Sequence, residues 1–127
     1  MILYEGWTLY RQVFTDGREL PKDPNPSWLG YSVATWNADT LVVDTVGLND
    51  RSWLDLTGHP HTEALHLVER FQRRDLGRME IQITIDDPKA YRKPWTIIES
   101  THLLPDTELL EFICNENEKD GPHLVGR

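Results

Sequence analysis

Apolar positions in this chain alternate with polar ones far more often than they recur at helical spacing. Met79, Ile81, Ile83 and Ile85 fall on one side of an extended segment, and Glu80, Gln82, Thr84 and Asp86 on the other. A period of two is the mark of a half-buried strand. Its partner is expected over Ala64 to Arg73, with Asp75-Leu76-Gly77 turning between them. Upstream, Trp28 to Trp36 and Thr40 to Val46 read as an antiparallel hairpin joined by the short polar link Asn37-Ala38-Asp39-Thr40. In the second arm Leu41, Val43 and Thr45 share one face, and Val42, Asp44 and Val46 the other. Apolar residues on both faces imply a strand covered on both sides, with Asp44 as the exception.

The flanks follow the same grammar. Met1 to Thr15 is rich in β-branched and aromatic residues, with Gly6 interrupting two short strands or marking a bulge. Asp16-Gly17 is a turn signal. Pro21, Asp23, Pro24 and Pro26 deny regular structure to the loop Glu19 to Ser27, which Trp28 and Leu29 are expected to pin. Trp95 to Leu103 and Glu108 to Cys114 read as a last hairpin. The count is about eight short strands without an amphipathic helix, which predicts an all-β fold. An antiparallel, lipocalin-like barrel is the first expectation, since about eight strands suffice to close one around a filled or ligand-sized interior. A two-sheet β-sandwich is the alternative. The domain is expected over 1–114, followed by an acidic tail over 115–127.

Composition narrows the picture. With 127 residues, 39% hydrophobic and 27% charged, the chain suits one globular domain. A net charge of -8 argues against a nucleic-acid partner, which requires a basic stripe, and against attraction to anionic lipid. Cys114 is the sole cysteine, so it forms no intramolecular disulfide, and in a strand it reads as a small buried hydrophobe. No apolar run approaches the roughly 20 residues of a membrane span. Met1 leads directly into strand-like sequence, so the expectation for the chain as given is the cytoplasm.

Candidate chemistry concentrates between Leu48 and Arg74, in a long loop that passes into a strand. His59, His61, His66 and Glu69 are of the residue types that zinc or copper accepts. His59 and His61 lie two apart and can point to one side. Parity opposes the full set: His66 shares a face with Val68 and Arg70, and Glu69 shares the other with Leu65, Leu67 and Phe71. The competing reading is a hydrogen-bonded loop in which Pro60 fixes the backbone and the imidazoles cap carbonyls or stack on Trp53. His66, Glu69 and Arg70 also suit acid–base work, yet Ser32, Ser52 and Ser100 sit in no nucleophile motif. Asn49-Asp50-Arg51 reads as a loop-stabilising turn with Arg51 tied to Asp55. Asp44 calls for a cationic partner such as Arg11 or Arg70. Asp86-Asp87 reads as a solvated turn, since the spaced ligands of a calcium loop are missing.

The segments RQVFTDGRELPKDPNPSWLGYSVATWNADTLVVDTVGLNDRSWLD, GHPHTEALHLVERF, IDDPKAYRKPW and LLEFICNENEKD together resemble a family of β-rich bacterial proteins of uncharacterised function, met in acidobacterial, proteobacterial and soil-metagenome sequences. The resemblance spans nearly the whole chain. It implies an exported, periplasmic or secreted protein with an N-terminal signal, of which this chain looks like a shortened member. It assigns no catalytic residue. Where the family usually has a Gly-Asp hairpin turn, this chain has Ala38-Asp39.

The leading functional expectation is a small-molecule-binding barrel. A small hydrophobic or aromatic ligand would be met by Trp36, Asp44, Trp53, His66 and Arg70. The alternative is a metal-dependent enzyme built on His59, His61, His66 and Glu69, carrying a divalent transition metal such as zinc or copper. A third is an interaction module forming a homodimer through the edge at Ile2 to Tyr4.

Overall fold

The computed structural model describes residues 1–111. Within them the chain is all-β, as the alternating pattern requires. The strands are β1 (Ile2–Tyr4), β2 (Leu9–Arg11), β3 (Val13–Phe14), β4 (Tyr31–Asn37), β5 (Thr40–Val46), β6 (His66–Arg73), β7 (Arg78–Asp86) and β8 (Trp95–His102). A 3-10 turn over Gly6–Thr8 separates β1 from β2, so Gly6 does interrupt two strands. β1 and β2 form an antiparallel ribbon, and the other six form one sheet in chain order, β3-β4-β5-β6-β7-β8.

Two expectations about this architecture need correction. The sheet is not wholly antiparallel, because β3 runs parallel to β4, with Val13 opposite Ser32 and Phe14 opposite Val33. A parallel neighbour needs a long crossover, and the proline-rich stretch between Phe14 and Tyr31 supplies it. The segment 108–111 is not a strand, and its expected continuation through Cys114 lies outside the described residues, as does the tail 115–127. β3 and β8 are the two ends of the six-stranded sheet and do not pair with each other. The sheet is therefore open among the described residues.

Register sorts the side chains into two faces. Ala34, Val43, Glu69, Ile83 and Ile97 form one cross-strand row, and Ser32, Thr45, Leu67, Ile85 and Trp95 the next. This is the core face. Ala34, Val43 and Ile85 are buried on it, and Ser32 and Thr45 share a 2.8 Å hydroxyl hydrogen bond that satisfies both where water is excluded. The opposite face carries Val33, Asp44, Val68, Thr84 and Thr96, then Thr35, Val42, Arg70, Gln82 and Ile98. The ribbon is tied to the core face by a buried ion pair between Arg11 of β2 and Glu69 of β6. Glu69 is thus a carboxylate in an apolar row whose charge is met from the second layer, as burial demands.

Candidate functional site

The loop after β5 is set in place before its own chemistry begins. Gly47 adopts φ +72°, and a Cβ there would lie 2.7 Å from the Pro24 ring. Only glycine fits both demands. The Ser27 amide donates to the Gly47 carbonyl at 2.9 Å, and the Asn49 amide donates to the Ser27 carbonyl at 2.8 Å. Backbone bonds at Ser27 therefore pin the proline-rich loop against the start of the next one. The expected pin, Trp28, is largely exposed.

Within the loop Asn49, Asp55, Thr57 and His59 find local partners. The Asn49 side chain accepts from the Arg51 amide at 3.1 Å, the turn expected for Asn-Asp-Arg. The expected Arg51–Asp55 tie is replaced by a compact knot around Asp55. That carboxylate accepts from the Thr57 amide at 2.9 Å and hydroxyl at 2.7 Å, and pairs with His59 Nδ1 at 2.6 Å. The Thr57 hydroxyl first, and His59 next, hold the Asp55 carboxyl far below the usual carboxylate range. The His59 ring lies against Trp95, 5.5 Å between centroids, rather than on Trp53.

Asp87 is the post on which the loop rests. It is 1% exposed, the reverse of the solvated turn expected of Asp86-Asp87. It accepts from the Thr62 amide at 2.6 Å, the Thr62 hydroxyl at 2.9 Å, the Lys89 amide at 3.0 Å and the Ala90 amide at 3.1 Å. Burial works against its charge, but these four bonds outweigh burial and the carboxyl is held below its ordinary value. Tyr91 adds a hydroxyl bond to the Pro60 carbonyl at 2.7 Å.

The result is a fixed imidazole. His61 is 7% exposed, with Nε2 3.1 Å from Ser52 Oγ and Nδ1 3.4 Å from the Thr62 carbonyl oxygen. A carbonyl can only accept, so Nδ1 carries the hydrogen in the neutral ring and Nε2 accepts from the serine hydroxyl. Ser52, His61, Asp50, Arg51, Trp53 and Pro60 line a cavity of about 220 Å³. A second and larger cavity, about 710 Å³, lies at the opposite end of the sheet. Leu3, Leu76, Met79, Leu103 and Leu109 give it apolar walls, and Arg73 and Arg78 line it as well.

The residues expected to act together are scattered. His66 Nε2 lies 3.0 Å from Asp44 Oδ1 on the face away from the core. The partner of Asp44 is thus a histidine and not Arg11 or Arg70, because Arg11 is committed to Glu69. Arg70 is exposed on that same outer face. Trp36 is 68% exposed beside the β4–β5 turn, and Trp53 is 66% exposed in the loop at the other end of the strands. The five expected ligand-binding residues therefore line no common cavity.

Nor do the four expected metal ligands converge. His59 is held by Asp55, His61 by Ser52 and His66 by Asp44, while Glu69 faces the core. Among the described residues no group of three or more His, Cys, Asp or Glu is placed to hold a metal ion. The parity conflict between His66 and Glu69 is real and no bulge relieves it.

Sequence reasoning gives Ser52, Asp87 and Arg11 other roles: Ser52 outside any nucleophile motif, Asp87 in a solvated turn, and Arg11 as a partner for Asp44. Ser52 carries no local signal. Asp87 carries one, an Asp-Pro followed by residues whose amides it can cap. Arg11 could be found only by pairing the ribbon with β6. Among the described residues no helix is long and apolar enough to cross a membrane. Comparison with known proteins finds no matching family model, no matching curated protein and no matching solved structure.

Proposed function

We propose that the protein binds a small amphiphilic anion, an apolar body with one acidic head, in the larger cavity. The observation that carries this reading is the lining: five apolar side chains around about 710 Å³, with two arginines. That volume and that balance of apolar wall and sparse charge suit a ligand pocket. Arg73 donates to the backbone carbonyls of Asp75 and Leu76, so its charge is held in place, and among the described residues no carboxylate pairs with it. Arg78 is 3.4 Å from Asp75 and half-exposed, a pairing that an incoming carboxylate can displace. The same reading favours the two-layer alternative over a closed lipocalin-like barrel, since β1 supplies Leu3 as one wall.

Thermal unfolding in the presence of dodecanoate, dodecanol and dodecyltrimethylammonium tests it. At a hundredfold excess over Kd, dodecanoate should stabilise by about 2.7 kcal/mol, dodecanol less and the cation least. Met79→Asp should abolish the shift. Equal shifts with all three, or none, would sink the proposal.

One observation favours a second reading, a homodimer through the ribbon. Leu3 and Tyr10, which pair across the ribbon and share one of its faces, are both largely exposed, and exposed apolar patches mark association sites. Light scattering on the chain and on a Tyr10→Lys variant decides it: a dimer that becomes a monomer supports this reading, and a monomer throughout removes it.

A further inference from the structure

We infer that Ser52 and His61 form a nucleophile–base pair that cleaves small carboxylic esters in the smaller cavity. This inference is independent of the amphiphile proposal, since the two cavities lie at opposite ends of the sheet and share no residue.

Three observations carry it. The first is the contact itself, 3.1 Å between Ser52 Oγ and His61 Nε2, within the reach a general base needs. The second is the tautomer. The Thr62 carbonyl oxygen lies 3.4 Å from Nδ1 and can only accept, which matches the tautomer with its hydrogen on Nδ1 and Nε2 as the acceptor, the role an orienting acceptor plays in serine–histidine catalysis. The third is the chain of support behind that carbonyl. Thr62 is clamped through both its amide and its hydroxyl by Asp87, which is itself buried and capped by two further amides. Asp87 is thus a positioning residue acting through Thr62. A serine whose only purpose was to satisfy a buried imidazole would not need to open on a cavity; this one does, and Arg51 and Trp53 line the same space.

The chemistry closes without any further reactant but water. Ser52 Oγ attacks the ester carbonyl carbon as its proton passes to His61 Nε2, and the carbonyl π pair moves onto oxygen. Arg51 is among the residues lining the cavity, and its guanidinium is the cation that can meet that developing charge. Collapse breaks the bond to the leaving alkoxide or phenoxide, which takes the proton from Nε2. Water then gives a proton to Nε2 and attacks the acyl carbon, and Ser52 leaves with that proton. The products are a carboxylic acid and an alcohol or phenol. The small cavity restricts the acyl portion to a short one, and Trp53 favours an aromatic leaving group.

The test uses the full chain with diethyl p-nitrophenyl phosphate, an organophosphate that esterifies activated serines, and with p-nitrophenyl acetate. The expected result is one diethylphosphoryl adduct per chain, mapped to Ser52, absent from heat-denatured protein and from Ser52→Ala. Acetate ester turnover should fall in parallel in Ser52→Ala. His61→Ala should label at least about 100-fold more slowly and regain rate when free imidazole is added, a rescue that a merely structural histidine does not show. Should His61→Ala fail to fold, Ser52 labelling of the native chain against Ser52→Ala decides alone. No adduct on native Ser52, or adducts spread over several residues at the denatured rate, overturns the inference.

Discussion

The two ends of the six-stranded sheet are built by opposite means. At the His66 end, the loop from Leu48 to Leu65 is a network in which Asp55, Asp87, Thr57, Thr62, Ser52 and two histidines all find partners within the same few residues. At the Arg73 end, Leu76, Leu103 and Leu109 are exposed and meet Leu3 around open space. Hydrogen bonds fix directions and distances, which a proton transfer needs. Apolar contacts are non-directional and tolerate repacking, which suits a binding groove. The contrast explains why one end offers a small cavity with a set geometry and the other a large cavity with little of it.

The sharpest way to separate the ends is to cut the ribbon loose. Glu69→Leu leaves Arg11 charged and buried without its partner, and the loss should be about 3–5 kcal/mol by urea unfolding. Leu3 rides on the ribbon, so the groove should lose its ligand response in any folded Glu69→Leu protein, while the Asp87 network persists. The double change Arg11→Met, Glu69→Leu should recover most of the stability. A double mutant as unstable as the single would mean that the ribbon is not held through this pair.

Next in size is Leu65→Ala. Leu65 is 1% exposed, and its amide donates to the Thr62 carbonyl at 3.1 Å, so it is the apolar floor of the polar end. Its loss should cost about 2–5 kcal/mol. Leu103→Ala at the groove end, where the side chain is largely exposed, should cost within roughly 0.5 kcal/mol. Comparable losses at the two sites would erase the distinction drawn between them.

Asp87→Asn removes a charge that accepts four hydrogen bonds, and should cost roughly 1–3 kcal/mol. The sign of its pH dependence follows from the depressed carboxyl. A group whose folded value lies below its unfolded one binds its proton more weakly in the native state. Its contribution is full above the unfolded value, near 3.9 for an aspartate, and is lost as pH falls through the folded value. Native chain and Asp87→Asn should therefore converge in stability as the pH drops below about 4. Hydrogen exchange should quicken at the Thr62, Lys89 and Ala90 amides and stay unchanged at the groove end. A stability gap that persists undiminished in acid would assign the loss to something other than this charge.

The strands were legible because period two is a local signal: β5, β7 and β8 begin and end within a residue or so of their expected limits. Parity was legible for the same reason, and it correctly set His66 and Glu69 on opposite faces. What escaped depends on pairings across sequence. Nothing near Arg11 or Glu69 announces that a separate ribbon crosses the sheet to join them. The parallel β3 was hidden because a turn signal at Asp16-Gly17 says nothing about where the chain returns. Residue type alone places Trp36 and Trp53 at one ligand, and strand length carries them to opposite ends. Histidines close in sequence suggest a cluster, yet His59, His61 and His66 each have a separate partner, in Asp55, Ser52 and Asp44.

The smallest expected effect concerns the turn beside Trp36. Ala38 adopts φ +54°, in the left-handed region where a Cβ is disfavoured. A two-residue hairpin link between Asn37 and Thr40 demands that conformation, and glycine meets it without the steric cost. Two terms then oppose each other. Removing the Cβ relieves about 1–2 kcal/mol of strain, while glycine's freedom in the unfolded chain returns roughly 0.4–1 kcal/mol of that gain. Ala38→Gly should therefore raise stability by about 0 to 1.6 kcal/mol, seen as a modest upward shift in the thermal midpoint. The turn lies at the groove end and touches none of the Asp87 network, so ester cleavage by the Ser52–His61 pair should not change. A destabilised Ala38→Gly would mean that the hairpin does not hold its left-handed residue at position 38 in solution.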